Sequence, residues 1–297
     1  MSATSVRAAA LLIVLALAAG CGAAGVPSDP APSAPVLPEE TSASTEPQEP
    51  TEAQAGDAGE LPAPEPQGSE QPAQELMINP EEPSGAPLPE VPPGEPSQLV
   101  VHGDRSCNLV ALTYDAGSGA DGAAAILDVL REHDLKVTFF LTGRWAEQFP
   151  DLARRIADEG HEIGNHTYGH PDLTTISDEE VLQQIRDAEE AIRTATGGNP
   201  APLFREPYGA FSDHERRLVR EAGYSYSIYW DVDTLDWTFP GVEATTERIL
   251  RAQGGSIVLM HMNVADSAAA TAAAIPVLQE RGYEIAPVSR LLQCGTE

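Results

Sequence analysis

Lysine is almost missing from this chain. Lys136 is the single one in 297 residues, and all basic residues together number 17 against 46 acids, for a formal net charge of -29. So acidic a balance excludes the clustered Lys and Arg that grip phosphate, and with them binding to nucleic acid or to an anionic lipid surface. The apolar run from Ala8 to Ala19 is too short to span a bilayer. Cysteine occurs three times, as Cys21, Cys107 and Cys294. From Gly22 to about Gln98 there is no Lys, Arg or aromatic residue, alongside fifteen acids and eighteen of the 26 prolines. Such a segment cannot bury enough apolar surface to offset its ordering entropy, which excludes a folded domain there. A disordered acidic tether, partly extended by its prolines, is expected instead.

Composition therefore divides the chain into residues 1–20, 21–98 and 99–297. The first carries one cation, Arg7, and an apolar core ending in Leu17-Ala18-Ala19-Gly20-Cys21. It reads as an export signal. Small residues before a cysteine resemble a bacterial lipobox, in which the cysteine is lipidated; the usual leucine three places earlier is Ala18 here, with Leu17 one step early. A lipid-anchored exported protein is expected, attached to the membrane only through Cys21, and simple secretion is the alternative. The third part holds 31 acids and 16 basic residues, a net of about -15. In an exported chain Cys107 and Cys294, which flank it, are candidates for a disulfide stapling both ends, or else stand as two separate thiols.

Within 99–297, short apolar strands alternate with amphipathic helices, the pattern of a parallel α/β sheet or barrel. Seven strands are expected, over 109–114, 137–141, 162–165, 203–205, 225–230, 256–260 and 284–287. Helices are expected over 122–132, 150–159, 178–195, 213–222, 244–253 and 267–281. Ser177 and Glu180 have the spacing of a capping box, and Gly160, Gly197, Gly223 and Gly282 stand where helices should stop. Pro276 predicts a kink or a late start in the last helix.

The unusual polar residues all fall just after strands. Asp115 follows the first, His166 and His170 the third, Arg205 to Gly209 the fourth, Asp231 to Trp237 the fifth and His261 the sixth. In a parallel barrel those ends form one mouth, so residues nearly 150 apart in sequence converge there. Two imidazoles four residues apart after a strand are candidate metal ligands. His102, His133, His161 and His214 fit no such pattern.

In this order the motifs resemble those of the polysaccharide deacetylases with NodB homology, carbohydrate esterase family 4. Thr113-Tyr114-Asp115-Ala116-Gly117 stands for the family's T-F-D-D-G, and His166-Thr167-Tyr168-Gly169-His170 for H-[ST]-x-x-H. Arg205-Glu206-Pro207-Tyr208-Gly209 matches R-x-P-[YF]-G, Asp233-Thr234-Leu235-Asp236-Trp237 matches D-x-x-D-W, and Leu259-Met260-His261 matches L-x-H. The resemblance spans about 108–289. It implies a distorted seven-stranded β/α barrel that hydrolyses N-acetyl, sometimes O-acetyl, groups on a glycan with one divalent metal, usually zinc, with cobalt or nickel able to replace it. By the same resemblance His166 and His170 hold the metal, Asp115 takes a proton from the attacking water and Arg205 keeps Asp115 charged. The Tyr208 backbone N–H receives the oxyanion, His261 with Asp236 protonates the leaving amine, and Trp237 and Leu259 line the acetyl pocket.

One position departs from the family. The second Asp of its first motif, a metal ligand, is Ala116 here, and a methyl coordinates nothing. Water could fill the place, Asp115 could swing to the metal, or Asp121 in the glycine-rich loop could substitute. Two classes of function follow: a monomeric, surface-tethered deacetylase of cell-wall glycan, with peptidoglycan amino sugars as first substrate and acetylxylan or chitin as runner-up, or a non-catalytic glycan-binding relative. Asp115, Arg205, Asp236 and His261 favour the enzyme, because a pure binder needs no general acid.

Overall fold

The structure, a computed structural model, describes residues 87–294. The expected signal 1–20, the lipidation candidate Cys21 and the tether up to residue 86 lie outside the described residues. Nine strands form one sheet: β1 Gln98–Val100, β2 Leu109–Ala116, β3 Thr138–Leu141, β4 Glu162–Asn165, β5 Leu203–Phe204, β6 Tyr226–Ile228, β7 Val232–Asp233, β8 Ile257–His261 and β9 Glu284–Ile285. Every pairing is parallel, in the order β1-β6-β5-β4-β3-β2-β8-β7 with β9 beside β2. Eight α-helices connect them: α1 Ala123–Glu132, α2 Gly143–Gln148, α3 Pro150–Asp158, α4 Asp178–Thr196, α5 Asp213–Glu221, α6 Val242–Ile249, α7 Asp266–Glu280 and α8 Val288–Gln293. The result is a distorted parallel β/α half-barrel; β1 and β7 end the path, and no pairing between them closes it among the described residues.

Strand β2 explains much of the layout. It is buried at all eight positions, as a strand covered on both faces of a parallel sheet must be. Its alternation separates two layers. Val110, Leu112, Tyr114 and Ala116 join the apolar cluster that includes Ile126, Leu127 and Leu130 of α1 and Ile275 and Leu278 of α7. Leu109 and Ala111 join the second cluster, with Phe140, Tyr226 and Ile257. Thr113 and Asp115 continue that second face, so Asp115 points away from the layer that holds Ala116.

Two short strands, β1 and β7, add to the seven expected, and α2 and α8 occupy stretches with no helix in the sequence reading. Helix α7 starts at Asp266 and runs through Pro276, so a late start does not occur; its alanines are strong enough helix formers to offset one missing hydrogen bond. The Ser177–Glu180 capping box is formed. The folded body also begins before residue 98. Val91 is buried, the Tyr226 hydroxyl donates to the Pro89 carbonyl, and Arg220 and Arg216 donate to the carbonyls of Val91 at 3.0 Å and Ser97 at 2.6 Å. Composition cannot show this, because the body holds the segment through backbone carbonyls and a few small side chains, Val91 in the apolar cluster and Ser97 against Ser227 at 2.6 Å. Cys107 and Cys294 form a disulfide, with Cα atoms 6.3 Å apart across 187 residues of sequence. No helix among the described residues is long and apolar enough to cross a membrane.

Candidate active site

The registers bring the strand ends together. Asp115 is the Cα partner of His261 across β2 and β8, and Asn165, just before His166, partners Leu141 and Phe204. Arg205 is fully buried and its guanidinium lies 4.0 Å above the Phe140 ring. It donates through Nε to the Ile228 carbonyl at 3.0 Å, through Nη2 to the Tyr229 carbonyl at 3.3 Å and through Nη1 to Asp115 Oδ1 at 2.6 Å. A guanidinium held by three such acceptors has one orientation. Burial alone would raise the Asp115 carboxyl, but the charge of Arg205, then that of His261, and the Arg205 hydrogen bond hold it below the ordinary carboxylate range.

His166 is buried, and burial pulls its imidazole down to about 4, so the ring is neutral near pH 7. Its Nδ1 lies 2.7 Å from the Arg205 carbonyl, an acceptor only, which places the proton on Nδ1 and leaves the Nε2 lone pair facing the site. That Nε2 is 3.5 Å from Asp115 Oδ2. The His170 ring stands edge-on to His166, centroids 4.7 Å apart, and burial lowers its pKa too. Both Thr167 (φ 67°) and His170 (φ 61°) sit in the left-handed region, costly for a β-branched residue. Asn165 holds them there. Its Oδ1 accepts from Thr167 N at 2.8 Å while its Nδ2 donates to the Ile185 carbonyl and the Tyr224 hydroxyl, both at 2.9 Å, and Thr167 Oγ1 accepts from His170 N at 3.0 Å.

On the other side, Asp236 is fully buried in the turn after β7. Its Oδ1 meets His261 Nδ1 at 2.7 Å and accepts from Trp237 N at 2.9 Å, and its Oδ2 accepts from His261 N at 2.8 Å and Ser267 Oγ at 2.6 Å. Burial works against a charge on His261, yet the hydrogen bond to Asp236 and the charges of Asp115 and Asp236 raise its pKa above the ordinary value. Leu259 lies two residues before His261 on the same strand face, and Trp237 adjoins Asp236. The Tyr208 ring packs edge-on against His170, centroids 4.5 Å apart, from a backbone with φ 60°.

The nine rim residues singled out in the sequence thus gather at one barrel mouth. Asn165 and Ser267 also serve the site, and nothing in their type announces it; the available signals are an Asn at the last strand residue before the histidines and a Ser in the first turn of the helix after His261. Glu206, beside Arg205, is buried with Oε1 accepting from Ser227 Oγ at 2.6 Å and with Oε2 unpartnered among the described residues. The other histidines stay apart: His161, for example, accepts from Val137 N, and His214 pairs with Asp178.

Two neutral, converging imidazoles are the donors a borderline divalent metal prefers, and a carboxylate oxygen stands beside one of them, so the residues fit such an ion. They do not preset a third ligand. No group of three His, Cys, Asp or Glu forms a ready metal site among the described residues, Ala116 packs in the apolar layer, and Asp121 is exposed.

A parallel half-barrel with an acid–base pair and two imidazoles at its mouth is an arrangement suited to metal-assisted hydrolysis. Residues 102–227 match the family described as polysaccharide deacetylase. The peptidoglycan-N-acetylglucosamine deacetylase of Bacillus cereus is 35% identical over 193 residues, covering 63% of this chain and 70% of that one. The chitooligosaccharide deacetylase of Sinorhizobium fredii is also 35% identical, over 59% of this chain and 88% of its own. A solved structure from Bacillus anthracis, described as a pseudoenzyme of carbohydrate esterase family 4, superposes with a TM-score of 0.62 at 33% identity, covering 65% of this chain and 68% of that one. The chain belongs to the polysaccharide deacetylase family, and it is a hydrolase of that class.

Proposed function

We propose that this protein removes N-acetyl groups from the amino sugars of peptidoglycan, using one divalent metal, zinc first, held by His166 and His170. When bound, such an ion supplies Lewis acidity toward the amide carbonyl and acidifies water. The protein's own groups divide the proton work. Asp115, kept ionised by Arg205, accepts the proton of the attacking water as its oxygen bonds to the carbonyl carbon. The Tyr208 backbone N–H faces the developing oxyanion. His261, kept protonated by Asp236, donates to the nitrogen as the C–N bond breaks, giving acetate and a free amine. Trp237 and Leu259 shape the space for the acetyl methyl.

The observation that carries this reading is the opposed tuning of two register partners: Asp115 is pushed toward its charged base form and His261 toward its charged acid form. Peptidoglycan is favoured over chitin or xylan by the export signal and tether, which with a lipid on Cys21 would keep a monomeric enzyme beside the cell wall. Incubation of the full chain with peptidoglycan should release acetate, stop with a chelator and resume with zinc, cobalt or nickel. Glycan binding with no acetate under any of these metals would sink the proposal and leave the non-catalytic relative that Ala116 permits. Fatty-acid labelling of wild type and not of Cys21→Ser checks the anchor, and unlabelled wild type would mean secretion.

A further inference from the structure

Among the described residues the exposed large hydrophobic side chains are Tyr208 at 70%, Leu235 at 37%, Trp237 at 53% and Phe239 at 69%. All four sit on two loops of the same rim. Of the six non-glycine residues with left-handed φ among the described residues, five also belong to the rim loops: Thr167, His170, Tyr208, Leu235 and Phe239. Phe239 combines both features and has no part in the acid–base groups. Its backbone is at φ 53°, ψ 50°, a conformation that Cβ sterics penalise in any L-residue and that the following Pro240 disfavours further. A Phe placed there gains little burial in return.

The turn that imposes this geometry is firmly tied. Phe239 N donates to the Asp236 carbonyl at 2.8 Å and Thr238 Oγ1 to the Leu235 carbonyl at 2.7 Å. Arg248 donates to the Thr234 carbonyl at 2.6 Å, and Leu235 N to Asp233 Oδ1 at 2.8 Å. With the Asp236 carboxylate fixed inward by His261 and Ser267, the Trp237 and Phe239 side chains stand in solvent one and three residues along the chain from Asp236. Strained backbone presenting an uncovered aromatic beside a reactive site points to a contact made only when substrate is present.

We propose that Phe239 is a specificity-determining residue whose ring stacks on the apolar C–H face of a pyranose neighbouring the sugar that loses its acetyl group. The occupant is a glycan chain, because a sugar ring offers a flat face of C–H bonds for an aromatic and hydroxyls that stay in water around it. The inference rests on the deacetylase reading of the rim and concerns chain-length preference rather than the chemical step.

The test measures binding of a β-1,4-linked N-acetylglucosamine tetramer and of N-acetylglucosamine itself by calorimetry, using the full chain in a His261→Ala background that holds turnover back. Adding Phe239→Ala should weaken the tetramer about tenfold, the scale of one lost aromatic contact, and shift the monosaccharide far less. Adding Phe239→Tyr instead should restore most of the affinity. Unchanged tetramer affinity in the Phe239→Ala variant, equal losses for both sugars, or a parent that binds no tetramer would each overturn the proposal. Acetate release from the tetramer by the wild-type chain is read separately: Phe239-dependent binding without release sinks the deacetylase reading and leaves the stacking residue in place.

Discussion

Replacing Asp236 by Asn tests the acid half of the site. In the native turn both carboxylate oxygens accept two hydrogen bonds each, from His261 Nδ1 and Trp237 N on one side and from His261 N and Ser267 Oγ on the other. An amide must put NH2 on one side or the other. Either way it meets a backbone N–H that cannot turn away, and the imidazolium loses its counter-charge. A charge-assisted hydrogen bond of this kind is worth about 1.5–3 kcal/mol. The variant should therefore lose roughly 10- to 100-fold in kcat/KM. The pKa of His261, raised in the native protein by the hydrogen bond and charge of Asp236, should fall, so the basic limb of the pH profile moves to lower pH. The acid limb, set by Asp115, should stay where it is. Stability follows the same sign: a histidine raised in the fold contributes fully below its unfolded value near 6.5 and less as pH rises through its folded value, so the variant's deficit is larger at pH 6 than at pH 9. Acetate release across pH, with denaturant titrations at those two pH values, measures both effects. An unmoved basic limb, or a shift of the acid limb instead, would refute the assignment.

Removing the disulfide with Cys107→Ala and Cys294→Ala should cost about 2–4 kcal/mol and lower Tm by roughly 5–15 °C in calorimetry, and a fall of under 2 °C would show that the staple constrains little. Glu206, which burial pushes up to about 7, contributes stability fully below its unfolded value near 4.5 and loses it as pH rises through 7; Glu206→Gln should flatten a decline on the order of 3 kcal/mol between pH 5 and pH 8 in guanidinium titrations, and an unaltered slope would assign the decline elsewhere. Phe239→Asn, better suited to a left-handed backbone, should gain about 0.5–1 kcal/mol and raise Tm by roughly 2 °C, whereas a lower Tm would mean that the ring supports the fold.

The strand expected over 109–114 can be read from sequence because a strand buried on both faces opens with a run as apolar as Leu109 to Leu112, and the Ser177 capping box because its chemistry is local. β1, β7 and α2 are too short to show a period, and their existence depends on neighbours that only the fold supplies. The charged and aromatic rim residues stand out for the same reason Asn165 and Ser267 do not. Asp, Arg and His at five of the strand ends are conspicuous, while Asn and Ser are common, and Ser267 reaches Asp236 from 31 positions away. Likewise Ser97, Ser227 and Glu206 form one buried chain across 130 positions, a relation no spacing reveals.

Ala116 is where resemblance and packing pull apart, and it can be tested without measuring turnover. Its methyl is fully buried in the layer between sheet and helices. A carboxylate there would be desolvated, at an effective cost of several kcal/mol unless a cation neutralised it. Ala116→Asp should therefore lower the Tm of the metal-free protein. If the new carboxylate can turn from the end of β2 toward His166 and His170, the variant should bind zinc more tightly than wild type and recover about 2.7 kcal/mol with zinc at a hundred times its Kd. Thermal unfolding with chelator and with excess zinc, for both proteins, separates the cases. An equal deficit in both conditions would mean that position 116 does not reach the metal in this chain, and that the native alanine fills the apolar layer rather than vacating a ligand site.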